Sequence, residues 1–181
     1  MKSRETRGTR EGWNNSNVRR SRSMTTTNFS QLLRVALDDL REGRRSLACR
    51  MQKVAVATND AVTRETFRTL ITRSNEEANI LGQMLGDPDG KPNLWANGIM
   101  DDALRDVAST AQGRVRDVAV IGAIRKFLAA DIVSLETAIA LDQYEGAAKN
   151  QALNAFRQQA RDTDHLLRER LAELTRSLAG E

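Results

Sequence analysis

Asp162 and His165 stand three residues apart with Asp164 between them. A carboxylate-x-x-His pair at i and i+3 shares one face of a helix, which is how helical bundles bring metal ligands into their interiors. Glu77 and Asp131 each sit inside an apolar stripe of helical period elsewhere in the chain. Glu77, Asp131, Asp164 and His165 together would form a carboxylate-bridged site for iron or manganese, the chemistry of a protein that handles iron or peroxide. The first stripe carries Arg44 at the corresponding place. A guanidinium cannot be a ligand, and its permanent charge repels a cation a few ångströms away. The second reading is therefore a buried ion-pair cluster, with Arg44 placed between Asp131 and Asp164 and forked onto one of them. The cost of burying an unpaired charge favours the cluster over the metal site. Nucleophilic catalysis has little support: Cys49, the only cysteine, lies off the first stripe, and neither a Gly-rich phosphate loop nor G-x-S-x-G occurs.

Four long segments must position these groups. Leu33, Ala36, Leu40, Leu47, Met51 and Val54 continue a face that begins at Phe29, at steps of three and four with Arg44 on it. Phe67, Leu70, Leu81 and Met84 mark the second, with Ser74 and Glu77 on it. Val118, Ile121, Ile124, Leu128, Leu135 and Ile139 mark the third around Asp131, and Leu153, Phe156, Ala160, Leu167, Leu171, Leu174 and Leu178 the fourth around Thr163 and Asp164. Asn28 with Gln31 three residues on predicts a reciprocal cap at the start of the first helix, which then extends to about Thr58. Asn59 or Asp60 caps a second helix ending at Gly86. The only prolines, Pro88 and Pro92, fall in the loop expected over 86–97, after which a short connecting helix runs from Ile99 to about Ala111. The last two helices are expected over about Arg114 to Gln143 and about Gly146 to Leu178, joined by a Tyr-Glu-Gly turn. Two antiparallel hairpins joined by a long link make an all-α, antiparallel four-helix bundle.

Composition agrees with helix packing. Apolar residues make up 40% of the 181 and aromatic ones only 4%, so Leu, Ile, Val, Ala and Met must fill the interior. The longest apolar run, Val118 to Ile124, is far short of a bilayer span, and one cysteine fits a cytoplasmic location. The net charge of +4 is unevenly spread. Residues 1–23 hold seven basic and two acidic groups, leaving 21 basic and 22 acidic for the rest. The chain therefore divides into a basic arm, 1–27, expected to be disordered, and a nearly neutral bundle, 28–181, for which Met24 is a natural start. Arg4, Arg7, Arg10, Arg19, Arg20 and Arg22 could attach the arm to nucleic acid or another anionic partner, although a solvated tail is the commoner use of such a run.

The stretch Val115-Arg116-Asp117-Val118-Ala119-Val120-Ile121-Gly122-Ala123-Ile124, followed by Asp131-Ile132 and Thr137, resembles the third helix of the YciE/YciF-type ferritin-like family. Gln158-Gln159-Ala160-Arg161-Asp162-Thr163-Asp164 stands in the place of that family's acidic fourth helix, and the resemblance covers about residues 28–176. It implies a small dimeric bundle linked to bacterial stress responses, in some members with a two-metal carboxylate centre. Asp131 then falls where the third helix bears a ligand Glu, and Asp164 in the acidic patch of the fourth. Arg44 falls where the first helix would carry Glu, and Thr72 and Arg73 where the second would carry a Glu pair. At least half of the ligand set is missing. The expectation is a non-catalytic or metal-depleted homodimeric bundle with a stress-associated or structural role and no cofactor. A di-metal protein using iron or manganese, and a bundle working through its arm, are the alternatives.

Overall fold

The computed structural model describes residues 25–87 and 90–176. Five helices follow in order: α1 Phe29–Ala57, α2 Ala61–Leu85, α3 Leu94–Ser109, α4 Arg114–Tyr144 and α5 Asn150–Arg176. No strand occurs among the described residues, and none of their helices is long and apolar enough to cross a membrane. Residues 1–24 of the basic arm lie outside the described residues. α1 with α2 and α4 with α5 form the two hairpins, α1 also packs on α4, and α3 lies across both of them, while α2 and α5 touch only lightly. The result is the expected four-helix bundle with an extra helix on one side.

The helix ends follow from local chemistry. The Asn28 side chain accepts the Gln31 backbone N–H at 2.9 Å, and the Asp60 side chain accepts that of Thr63 at 2.8 Å. The reciprocal half of the first cap falls one residue earlier than expected: Gln31 accepts from the N–H of Thr27 at 2.9 Å, not from Asn28. Gly86 ends α2 in the left-handed conformation, φ 65°, which glycine adopts without a Cβ clash.

Three sequence expectations need correction. α3 begins at Leu94, not Ile99, because Asn93 caps it by accepting the Ala96 N–H at 3.0 Å while donating to the Asp39 carbonyl at 2.8 Å. That buried side chain fastens the start of α3 to α1, and Trp95 then stacks on Phe127 of α4 with ring centroids 5.3 Å apart. The link between α4 and α5 is longer than Tyr-Glu-Gly. Asp142, buried at the end of α4, accepts the Lys149 N–H at 2.9 Å and holds that loop closed. Phe29, expected at the head of the core stripe, is 52% exposed and packs edge-on against Tyr144 outside the core.

The interior is two apolar halves with a polar layer between them. One half gathers Leu47, Met51, Phe67, Ile121, Ile124 and Leu167, and the other Leu33, Leu37, Leu40, Leu81, Leu135 and Leu153. Position 44 separates the two sets along α1, position 77 lies near the boundary on α2, and position 131 separates them along α4. Each set is large enough to drive its own end of the bundle together, so the charged layer is enclosed by the apolar ends and need not stabilise the fold by itself.

At the α1–α2 end Asp60 has two tasks. It caps α2, and it receives Arg170 of α5 through Nε at 3.0 Å and through a close Nη2 contact. The hydrogen bond from Arg170, ahead of those from Thr63 and against some desolvation, lowers its carboxyl from 3.8 to about 2. As pH falls the unfolded chain takes this proton first. The contribution of Asp60 is therefore complete above about pH 4 and disappears as pH falls through 2. Asp60→Asn keeps the capping oxygen but loses the charge. It should cost about 1–2 kcal/mol at pH 7, with the difference from the parent protein closing between pH 4 and 2 in paired urea titrations.

Candidate functional site

Arg44 leaves the middle of α1 and enters the polar layer almost wholly buried. Its Nη1 and Nη2 donate to the two oxygens of Asp131 on α4 at 2.8 and 3.2 Å, and its Nε donates to Oε2 of Glu77 on α2 at 2.5 Å. Nη1 also reaches the Leu40 carbonyl at 3.3 Å, one turn back on α1. Phe156 of α5 closes the other face, its ring centroid 5.5 Å from the guanidinium carbon. All four bundle helices thus meet at one side chain. The planar fork of arginine makes this possible, because lysine offers no comparable bidentate geometry.

The charges nearly balance. One guanidinium faces two carboxylates, and Arg73 brings a second positive group to 3.8 Å from Oε1 of Glu77 while donating to the Thr163 hydroxyl at 2.6 Å. Burial raises the carboxyls of Glu77 and Asp131 above their ordinary ranges, and the attraction of Arg44 offsets only part of that. For Arg44 desolvation is the largest influence and pulls downward, but Asp131 and Glu77 together outweigh it and the net shift is upward.

The structure separates the residues proposed from sequence. Asp131 does sit on Arg44, but the other partner of Arg44 is Glu77 and not Asp164. Asp164 faces sideways on α5, where Arg125 of α4 holds it at 2.7 and 3.3 Å. His165 is further round the helix and more than half exposed, beside Glu169 at 3.1 Å and Arg168 at 2.8 Å. Asp162 is exposed and bonded to Gln158. Adjacent positions on a helix point about 100° apart, so 162, 164 and 165 cannot all face the layer that Ala160 and Thr163 approach.

Two residues with structural weight had no role in the sequence reading. Arg41, fully buried one turn before Arg44, binds Asp38, Glu42 at 2.9 Å and the Asp87 carbonyl, so it anchors the link after α2 to α1. Asp117 accepts the backbone N–H groups of Asn59 and Asp60 at 2.8 and 3.0 Å. Arg41 was detectable as a second charge three residues from Arg44. Asp117 was not, since its partners are backbone atoms 57 and 58 positions away.

A two-metal carboxylate centre, the group implied by a ferritin-like fold, does not fit these residues. Each of the four oxygens of Glu77 and Asp131 has a guanidinium nitrogen within 3.8 Å. The remaining void is about 10 Å³, space for at most about one water. No group of three or more His, Cys, Asp and Glu side chains suited to a metal converges among the described residues. An open groove of about 640 Å³ runs between α2 and α5 on the far side of Arg73, past Val62, Thr66, Thr69 and Leu166, and its apolar lining offers no nucleophile paired with a base.

Neither a protein-family model nor a curated protein matches this chain. Solved structures do. The crystal structure of the E. coli stress protein YciF superposes with a TM-score of 0.77 at 20% identity, covering 83% of this chain and 99% of YciF. The chain has the YciF fold. A protein named YcfI from Rhodopseudomonas palustris superposes nearly as well, with a TM-score of 0.75 at 16% identity over 82% of this chain and 96% of the other. The YciF fold accounts for the four long helices and the crossing helix, and hence for the inward direction of positions 44, 77 and 131. At such low identity it specifies the scaffold and leaves the chemistry to the residues themselves.

Proposed function

We propose that this chain is a non-catalytic, metal-depleted member of the YciF-like bundles, a homodimer in the cytoplasm with a stress-associated or structural role. The observation that carries the reading is the guanidinium of Arg44 on both carboxylates of the central layer. A protein cation stands there in place of a metal ion. It cannot exchange, change oxidation state or bind peroxide, so the layer is suited to holding helices together and not to turnover. The stress-protein description of YciF, and the description of YcfI as a candidate structural protein, fit that role.

The reading predicts that protein purified without chelator carries iron and manganese well below stoichiometry, and that adding either ion leaves the thermal midpoint unchanged. Stoichiometric metal with a raised midpoint would favour the di-metal alternative through Glu77, Asp131, Asp164 and His165. A further reading, in which the arm attaches the bundle to an anionic partner, draws on the concentration of positive charge in residues 1–23 beside a bundle near neutrality. Salt-titrated binding of the full chain against one starting at Met24 separates that role from the bundle's own.

A further inference from the structure

The seam between α2 and α5 is fastened at two points and open between them. At the end of the bundle Arg170 of α5 reaches Asp60, the cap of α2. Near the central layer Arg73 of α2 donates to the Thr163 hydroxyl of α5 at 2.6 Å. The two helices otherwise touch only lightly, and the groove of about 640 Å³ follows the seam from Val62 to Arg73, about 17 Å along α2. Val62, 52% exposed, and Leu166, 44% exposed, stand on its two walls. The Thr66 hydroxyl is already satisfied by the Val62 carbonyl at 2.9 Å. Water in the groove therefore meets mostly carbon, and a hydrocarbon ligand would release it. The volume is that of an ordinary small-molecule site.

Arg73 supplies an independent observation. Arginine carries N–H groups on three nitrogens, and here only Nη2 has an acceptor. Nε stands 3.8 Å from Glu77, beyond hydrogen-bond length, and Nη1 has no acceptor among the described residues. Glu77 cannot move closer without leaving Arg44, which holds its other oxygen at 2.5 Å. The side chain of Arg73 is only 21% exposed, so solvent has limited access to the free donors. A partly desolvated cation with donors to spare is a site for an anion.

Charge decides which anion fits. Glu65 and Asp162, both exposed, stand on the rim of the groove. They repel a polyanion such as nucleic acid or a phosphopeptide, while Arg73 at the inner end repels a cation. A continuing polypeptide would have to cross the Asp60–Arg170 or the Arg73–Thr163 bridge, which close the two ends. A single carboxylate on a hydrocarbon tail meets none of these obstacles.

We propose that the α2–α5 groove binds a medium-chain fatty-acid anion, with its carboxylate on Arg73 and its chain between Val62 and Leu166. The proposal adds a ligand to the scaffold role and does not depend on oligomeric state. Titration calorimetry of the full chain with decanoate tests it. About one decanoate should bind per chain. Acetate, the same head without a tail, should not bind. Decyltrimethylammonium, the same tail with a cationic head, should bind at least about 10-fold more weakly than decanoate, and Arg73→Met should weaken decanoate by a similar factor. Thr69→Trp fills the groove from an exposed position and should abolish binding with helical circular dichroism unchanged. Should Arg73→Met fail to fold, the cationic amphipath and Thr69→Trp still decide. No binding of decanoate, equal binding of the two amphipaths, or decanoate binding that survives Thr69→Trp would each overturn the proposal.

Discussion

Arg44→Met should destabilise the protein by about 3–5 kcal/mol near pH 7, the largest loss expected of any single change in the polar layer. Most of that cost is the charge left behind. Methionine fills much of the same space, but Asp131 loses its hydrogen-bonded cation and keeps only the weaker attraction of Arg73, and Glu77 keeps only Arg73 at 3.8 Å. Both carboxyls are already raised above their ordinary ranges by burial, and losing the guanidinium raises them further. A carboxyl whose folded value lies above its unfolded value favours the folded state as it takes up a proton. The deficit of the variant should therefore shrink as pH falls from 7 towards the ordinary carboxylate range, the opposite trend to that expected of Asp60. Replacing all three groups, Arg44→Met with Glu77→Leu and Asp131→Leu, should recover most of the loss and could exceed the parent, since an apolar layer avoids desolvating any charge. Urea denaturation of the single and triple variants at pH 5 and 7 is the measurement. A single variant within about 1 kcal/mol of the parent at pH 7 would mean that the two carboxylates do not depend on Arg44.

Architecture could be read from the sequence because period and punctuation agreed. The stripe through Leu40, Leu47 and Met51, the Asp60 cap and the Gly86 stop place α1 and α2 nearly where the structure has them. The start of α3 escaped the same logic. Pro92 suggested a loop, and the cap on Asn93 depends on a bond to the Asp39 carbonyl that only the folded chain supplies. Within the site, the inward direction of Arg44, Glu77 and Asp131 was present as charges interrupting apolar stripes. Which carboxylate meets which cation was not, because pairing depends on the axial stagger of four helices, and hydrophobic period leaves stagger open. Asp164 is the clearest case. It lies beside the stripe on α5 and looks inward by period, yet Arg125, half-buried on the neighbouring helix, holds it at the rim.

The central layer also explains how so plain an interior selects one alignment. Leucine, isoleucine and alanine surfaces slide past one another at little cost, so the two apolar halves favour a bundle without fixing its register. A shift of one turn on α1 would move Arg44 by about 5.4 Å, away from Asp131 and Glu77, and strand three buried charges. The ion cluster thus contributes little to net stability while making wrong registers costly.

Asp117→Ala should cost about 2–4 kcal/mol, although it removes no core volume and touches no other side chain's charge. Its carboxylate is nearly fully buried and accepts the N–H groups of Asn59 and Asp60, the two residues where the chain turns from α1 into α2. Alanine leaves both donors unsatisfied in a partly buried turn. Asp117→Asn is the sharper test. One amide oxygen can accept one of the two bonds, but the amide NH2 then points its own donors at the other N–H, so asparagine should rescue less than half of the loss. The effect should spread beyond the turn. Asp60, whose backbone Asp117 holds, caps α2 and carries Arg170 of α5, so a single carboxylate on α4 tethers the ends of three other helices. Faster hydrogen exchange at the Asn59 and Asp60 amides, together with weaker protection across the first turn of α2, would identify this local cause. If Asp117→Asn matched the parent in urea, one acceptor would suffice, and Arg170 with Asp60 would have to hold that end of the bundle by themselves.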